Sequence, residues 1–168
     1  MIRAALVFEP LHARHDRLHF RCGEEALERY LRVQAGQDAV RHVASVIVAV
    51  DPHGLLAGFY TLAMSAVKLT DVPEPAARKL PRYPLVPAVR LGRLAVATEL
   101  QGQGLGGVLL ADALSRALSN PVAWAVVAVD TKDERAAGFY RRFGFVALRD
   151  DPRHLFLWRG TIEKLLMR

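Results

Sequence analysis

Apolar and polar positions change rhythm several times along this chain, and each rhythm predicts an element. Residues 2–8 read as a strand. Residues 24–32 read as a helix opened by Gly23, because Ala26, Leu27, Tyr30 and Leu31 recur at three- and four-residue spacing and make a core-facing stripe. Residues 43–50 and 55–67 are apolar and β-branched or aromatic in character, and Asp51, Pro52, His53 and Gly54 between them form a turn. That combination predicts a β-hairpin. From 70 to 87 the periodicity stops and prolines stand at 73, 75, 81, 84 and 87, which predicts a long surface loop. Order returns with a buried strand over 89–97, followed by a glycine cluster. A helix over 105–118 comes next, with Leu110, Ala113, Leu114, Ala117 and Leu118 on one stripe. A second buried strand over 122–129, a short helix over 134–142 stopped by Gly144, strands at 145–148 and 154–158, and an amphipathic tail at 161–167 complete the series.

This alternation predicts an α/β fold with a mixed sheet, in which strands joined through a helix pair in parallel. No internal repeat or shift in composition divides the chain, so a single domain over 1–168 is expected. The longest apolar runs are too short to cross a bilayer as a helix, and Glu9 and Pro10 interrupt the opening stretch before a signal-peptide core could form. No membrane association through a span is expected.

Composition adds two constraints. The 168 residues contain one cysteine, Cys22, which excludes an intrachain disulfide and a cysteine-rich zinc site and makes a reducing cytoplasm the simplest compartment. Lys plus Arg number 23 against 17 Asp plus Glu, a net charge of +6, which favours polyanionic partners such as nucleic acid or a phosphorylated cofactor.

The candidate chemistry lies between the strand at 89–97 and the helix at 105–118. There the chain reads Thr98, Glu99, Leu100, Gln101, Gly102, Gln103, Gly104, Leu105, Gly106, Gly107. Glycines let backbone approach a phosphate, while the unpaired amides and dipole of the first helical turn attract it. A Walker loop is excluded because no Gly-Lys-Ser/Thr follows. The dinucleotide fingerprint fits poorly, since Asp130, the acidic residue that ends the next strand, falls slightly too far on.

What matches is Q/R-x-x-G-x-G/A, at Gln101, Gly104 and Gly106, and this resembles the acyl-CoA pyrophosphate loop of the GCN5-related N-acetyltransferases. The order of elements along the chain is similar to that family's as well. The resemblance implies a mixed central sheet with splayed central parallel strands flanked by helices, and acetyl-CoA as donor. It implies that backbone at Leu94, Ala95 and Val96 pairs with pantetheine. It implies too that the amides of Gln101, Gly102, Gln103, Gly104, Leu105, Gly106 and Gly107 hold the pyrophosphate. Gly138-Phe139-Tyr140-Arg141-Arg142-Phe143-Gly144-Phe145 resembles the family's F-Y-x-x-x-G-F segment, which makes Tyr140 the expected general acid toward the departing thiolate. The strand at 89–97 carries no carboxylate to act as base, and Glu99 beyond it reads as a solvated charge. A substrate whose α-amine has a pKa of about 7.7–8.0 or lower has little need of one.

The substrate side is basic. Arg78, Lys79, Arg82, Arg90 and Arg93 occur without an intervening acid, and Tyr83 lies among them. Either a solvated loop or a phosphate-binding rim would carry that pattern. A second resemblance bears on the choice. Residues 20–31, Gln37-Asp38 and Gly58-Phe59-Tyr60-Thr61-Leu62 are similar to the acetyltransferase toxins of bacterial toxin–antitoxin pairs, which acetylate the α-amine of aminoacyl-tRNA. It implies aminoacyl-tRNA as substrate and a cognate antitoxin, a ribbon-helix-helix DNA-binding protein, as partner. It also implies a homodimer. The alternatives are acetylation of a small amine or protein N-terminus, or a catalytically silent nucleic-acid-binding module of the same fold. Cys22 is expected to be a small buried residue. His12, His15 and His19 have a spacing that would gather them on one side of a helix, but no helical stripe accompanies them and no metal is expected.

Overall fold

The computed structural model describes residues 5–167. The strands are β1 (Val7–Pro10), β2 (Ser45–Val50), β3 (Leu56–Lys68), β4 (Leu85–Val96), β5 (Val126–Asp130), β6 (Val146–Ala147) and β7 (His154–Trp158). The helices are α1 (Glu25–Val33), α2 (Ala35–Val40), α3 (Glu74–Ala77), α4 (Leu105–Leu118), α5 (Glu134–Arg141) and α6 (Arg159–Leu166). The strands form a mixed sheet in the order β1-β2-β3-β4-β5-β7-β6. The chain gathers into two compact units, one of residues up to Ala63 with Gly92–Ala113, the other of Met64–Leu91 with everything from Leu114 on.

In the first unit, β2 pairs antiparallel with β1 and with β3, as the hairpin pattern predicts. The Asp51 carboxylate fixes the turn by accepting from the His53 and Leu55 amides at 2.8 and 2.9 Å, and Gly54 supplies the left-handed residue at φ +82°. Phe20, Tyr30, Leu31, Val46, Val48, Phe59 and Ala95 build the core. Gly58 is required there by close approach: a Cβ would stand 2.7 Å from the Ala95 carbonyl oxygen and 2.8 Å from Leu109 Cδ1. The Glu28 carboxylate caps the entry to α1 by accepting from the Cys22 and Gly23 amides at 2.9 and 3.0 Å. Those two amides hold its carboxyl below the usual range.

In the second unit, β4 and β5 pair in parallel from Ala88↔Val126 to Leu91↔Val129, and β7 pairs antiparallel with β5 and β6. Its core joins Val67, Val72, Val86, Ala88, Val126, Ala128 and Phe156. Asp133 caps α5 by accepting from the Ala136 amide at 2.9 Å.

Several boundaries move. The first strand runs Val7–Pro10 rather than over 2–8, and residues 2–4 of that expectation lie outside the described residues. Ala26 is exposed, so the α1 stripe narrows to Leu27, Tyr30 and Leu31. The stretch 70–87 is not loop throughout. A 3-10 turn at Leu69–Asp71 and α3 occupy its first half, and β4 begins at Leu85. Proline at the second position of α3 is compatible with a helix start, where its missing N–H has no intrahelical partner to lose. The strand expected from 122 begins at Val126, because Pro121 and an Asn120 side chain accepting from the Val122 amide at 3.0 Å make a turn first.

Candidate active site

The glycine segment is held in shape by side chains and leaves its backbone exposed. At the end of β4, Leu94 and Val96 are half-buried and Ala95 is buried. The Ala97 amide donates to Ala57 O at 2.8 Å and the Thr98 amide to Arg21 O at 2.8 Å, so the chain leaves the sheet in a fixed direction. Gln101 then folds back, its side-chain amide donating to Cys22 O at 2.7 Å and Val96 O at 3.0 Å. Gln103 reaches Glu99 O at 3.4 Å. Gly102 and Gly104 both sit at φ +79°, a region that costs L-residues energy. Gln101, Gly102, Gln103 and Gly104 are all exposed.

The first helical hydrogen bond runs from the Val108 amide to Gly104 O, so the amides of Leu105, Gly106 and Gly107 head α4 before its ladder begins. A Cβ on Gly102 would meet nothing within 4 Å. An exposed glycine segment with open space at Gly102, leading into the positive end of a 14-residue helix, has the character of an anion-binding turn.

Tyr140 lies on α5 in the second unit, 8% exposed, with its ring edge-on to Phe139 and Phe145 at 5.0 and 5.3 Å. Burial holds the phenol well above its ordinary pKa of 10.0, so it stays protonated. Its hydroxyl has no hydrogen-bond partner among the described residues, and none of their side-chain oxygens or nitrogens is both buried and unpaired. The ring is therefore enclosed, while the hydroxyl is not fully shut off from solvent. Phe143 is partly exposed, unlike Phe145, so the aromatic run is not all packing.

The five basic residues separate into distinct environments. Arg78 bonds Glu74 one turn earlier on the chain at 3.1 Å, and Arg90 is hydrogen-bonded to Asp130. The run is free of acids in sequence but not in space. Lys79 and Arg82 are exposed and carry no ion pair among the described residues. Arg93 belongs to the first unit, where its guanidinium stacks 3.6 Å from the centroid of the Tyr30 ring. Glu99 is exposed.

Residues 42–147 match the family described as the acetyltransferase (GNAT) domain. The chain belongs to that family. It is 35% identical over 153 residues to a tRNA-acetylating toxin of Mycobacterium tuberculosis, with 90% of each chain covered. A solved structure of AtaT complexed with acetyl-methionyl-tRNAfMet superposes with a TM-score of 0.87 at 32% identity, covering 95% of this chain and 98% of that one. A tyrosine-to-phenylalanine mutant of the AtaT toxin, bound to the C-terminus of the antitoxin AtaR and acetyl-CoA, gives 0.82 at 28% identity over 98% and 99%.

Within this acetyltransferase, sequence reasoning passed over two polar clusters. The Tyr30 hydroxyl donates to Asp38 at 2.7 Å, and the Gln34 side chain donates to the same carboxylate at 2.9 Å. Burial, then the Asp38 hydrogen bond, pushes the Tyr30 phenol up to about 12, while Arg93 opposes the shift. Gln34, then Tyr30, lowers Asp38. These bonds join α1 to α2, and the Arg93 stacking ties both to β4. Tyr60, fully buried on β3, donates to Asp112 of α4 at 2.5 Å. The signal available in sequence was polar residues on otherwise apolar elements.

Two of these three histidines are engaged with carboxylates, His15 with Glu9 at 2.7 Å and His19 with Asp16 at 2.6 Å, and the His12 ring stacks on His15. Among the described residues no group of three or more His, Cys, Asp or Glu could hold a metal ion. Cys22 is buried, its thiol donating to Glu24 O at 3.6 Å.

Proposed function

We propose that this chain acts as one acetyltransferase domain that transfers acetyl from acetyl-CoA to the α-amine of aminoacyl-tRNA and so inhibits translation. The observation that carries the reading is the 35% identity, over nine-tenths of both chains, to a protein named for acetylating tRNA. The exposed glycine segment that leads into α4 supports it, as does the protonated phenol of Tyr140.

Acetyl-CoA supplies an activated acetyl thioester. The backbone from Gln101 to Gly107 holds its pyrophosphate, and Leu94, Ala95 and Val96 pair with its pantetheine arm. As the substrate nitrogen bonds to the acetyl carbon and the carbon–sulfur bond breaks, Tyr140 gives its proton to the leaving sulfur. The amine proton passes to water; an ester on the adjacent carbonyl lowers the amine below the usual α-amino range of about 7.7–8.0, so a usable neutral fraction exists near pH 7 without a side-chain base. Arg78, Lys79, Arg82, Arg90 and Arg93 form the basic side toward the tRNA, with Lys79 and Arg82 carrying the greater share.

The partner assignments extend the same reading. An antitoxin covers this protein, and it is of the ribbon-helix-helix DNA-binding class. The toxin is a homodimer, to be read from its mass by light scattering, and works in the cytoplasm. No described helix is long and apolar enough to cross a membrane.

The decisive experiment follows free thiol released from acetyl-CoA in the presence of charged tRNA, the same tRNA deacylated, free amino acid, and a peptide with a free N-terminus. Turnover with charged tRNA alone is expected. Equal turnover with free amino acid or peptide overturns the assignment in favour of a general amine acetyltransferase.

A further inference from the structure

The segment around Tyr83 has a feature that the glycine segment and the acid do not use. Tyr83 is 71% exposed, the most exposed of the Phe, Tyr and Trp side chains among the described residues. A tyrosine combines a large apolar ring face with a polar tip, which suits an exposed one to contact with another molecule. Its backbone is restrained rather than loose. Pro84 confines residue 83 to extended conformations, and Pro81 fixes the entry to the same short segment. Just beyond, the Pro84 carbonyl accepts from the Leu69 amide at 3.0 Å. The ring is thus presented on backbone that has little entropy left to lose.

Its sequence neighbours are cationic. Arg82 precedes it and Lys79 lies four residues before, both exposed and without an ion pair among the described residues. An exposed ring on the same short segment as two exposed cations matches single-stranded nucleic acid, in which bases are available to stack while phosphates pair with Lys and Arg. A duplex keeps its bases stacked on one another and offers a side-chain ring no face.

We propose that Tyr83 is a stacking platform for an unpaired base at the 3′ end of the tRNA, with Lys79 and Arg82 taking the adjoining phosphates. The inference rests on the aminoacyl-tRNA reading above, because the aminoacyl group is carried on that unpaired end. Tyr83 is then a specificity residue for nucleic acid rather than a catalytic one. It favours the single-stranded terminus over a free amino acid that carries the same amine.

The test compares Tyr83→Ala, Tyr83→Phe and Tyr83→Trp in steady-state thiol release, with charged tRNA varied at saturating acetyl-CoA. Loss of one stacked base should raise the KM for charged tRNA roughly ten-fold in Tyr83→Ala. The kcat and the KM for acetyl-CoA should be unchanged. Phe and Trp retain a ring face and should restore the parental KM, which a merely structural or hydrogen-bonding role of the phenol would not predict for both. A second measurement titrates a fluorescently labelled RNA oligonucleotide with the tRNA 3′-terminal sequence, with and without an abasic terminal position. Removal of the base should weaken binding to the parent and leave binding to Tyr83→Ala unaffected. Parental turnover on charged tRNA with an unaltered KM in Tyr83→Ala overturns the platform alone. Absence of turnover by the parent protein on charged tRNA overturns the substrate reading, and the platform with it.

Discussion

For Tyr140, the proposed proton donor, the surroundings of the ring set the protonation of the phenol. Burial raises the Tyr140 pKa, so the phenol is fully protonated at the pH of the reaction and can donate a hydrogen bond to sulfur as negative charge develops there. Tyr140→Phe retains the edge-on contacts with Phe139 and Phe145 and loses only the donor. Thermal stability and acetyl-CoA affinity should be preserved, while kcat falls about a hundred-fold or more, the usual effect of removing a positioned general acid. Isothermal titration and single-turnover thiol release check the two halves. A parental rate in the folded variant would remove Tyr140 from the acid role. As a candidate this residue stands out in sequence because its neighbours form a recognisable string. Tyr30 does not, since a tyrosine on an apolar stripe reads as packing until Asp38, eight residues on, is found against its hydroxyl.

At the scale of elements, long periodic segments were legible and short ones were not. The α4 boundaries agree with the stripe of Leu110, Ala113, Leu114 and Ala117, although Leu118 is only half-buried. By contrast α2 has six residues, too few to display a period, and exists because Gln34 and Tyr30 converge on Asp38. The extra β4 residues from Leu85 were hidden among prolines, whose local preference yields to pairing with a neighbouring strand.

A charge cluster at the end of β5 makes a pH prediction for the second unit. His154 of β7 bonds Asp150 at 2.9 Å and stands 3.8 Å from Asp130, which Arg90 also engages. The Asp150 hydrogen bond first, then Asp130, raises the imidazole above its ordinary 6.5 against the effect of burial. A folded-state pKa above the unfolded one gives stabilisation that is complete below about pH 6.5 and lost as pH rises through the folded value. Urea unfolding between pH 5 and 9 should therefore show the parent losing more stability with rising pH than His154→Gln. Identical pH slopes for the two proteins would mean that the carboxylates do not favour the imidazolium.

The net charge of +6 is a property of the whole chain, and the structure divides its consequences unequally. Each phosphate neutralised by a lysine or arginine releases condensed counterions, so the logarithm of tRNA affinity should fall linearly with the logarithm of salt concentration. A cation already paired with a carboxylate brings less net charge to the nucleic acid. By that reasoning Arg78, bonded to Glu74, and Arg90, bonded to Asp130, should contribute little, and Arg93 is occupied by the Tyr30 ring. Lys79 and Arg82 remain. Replacing each with alanine should reduce the magnitude of the salt slope by about one, and the double variant by about two, with acetyl-CoA affinity unchanged. Arg90→Ala should leave the slope nearly as it was. Affinity measured by filter binding from 50 to 300 mM salt distinguishes these cases. If the double variant keeps the parental slope, the 78–93 run is a solvated surface and the tRNA is held by other cations of the chain.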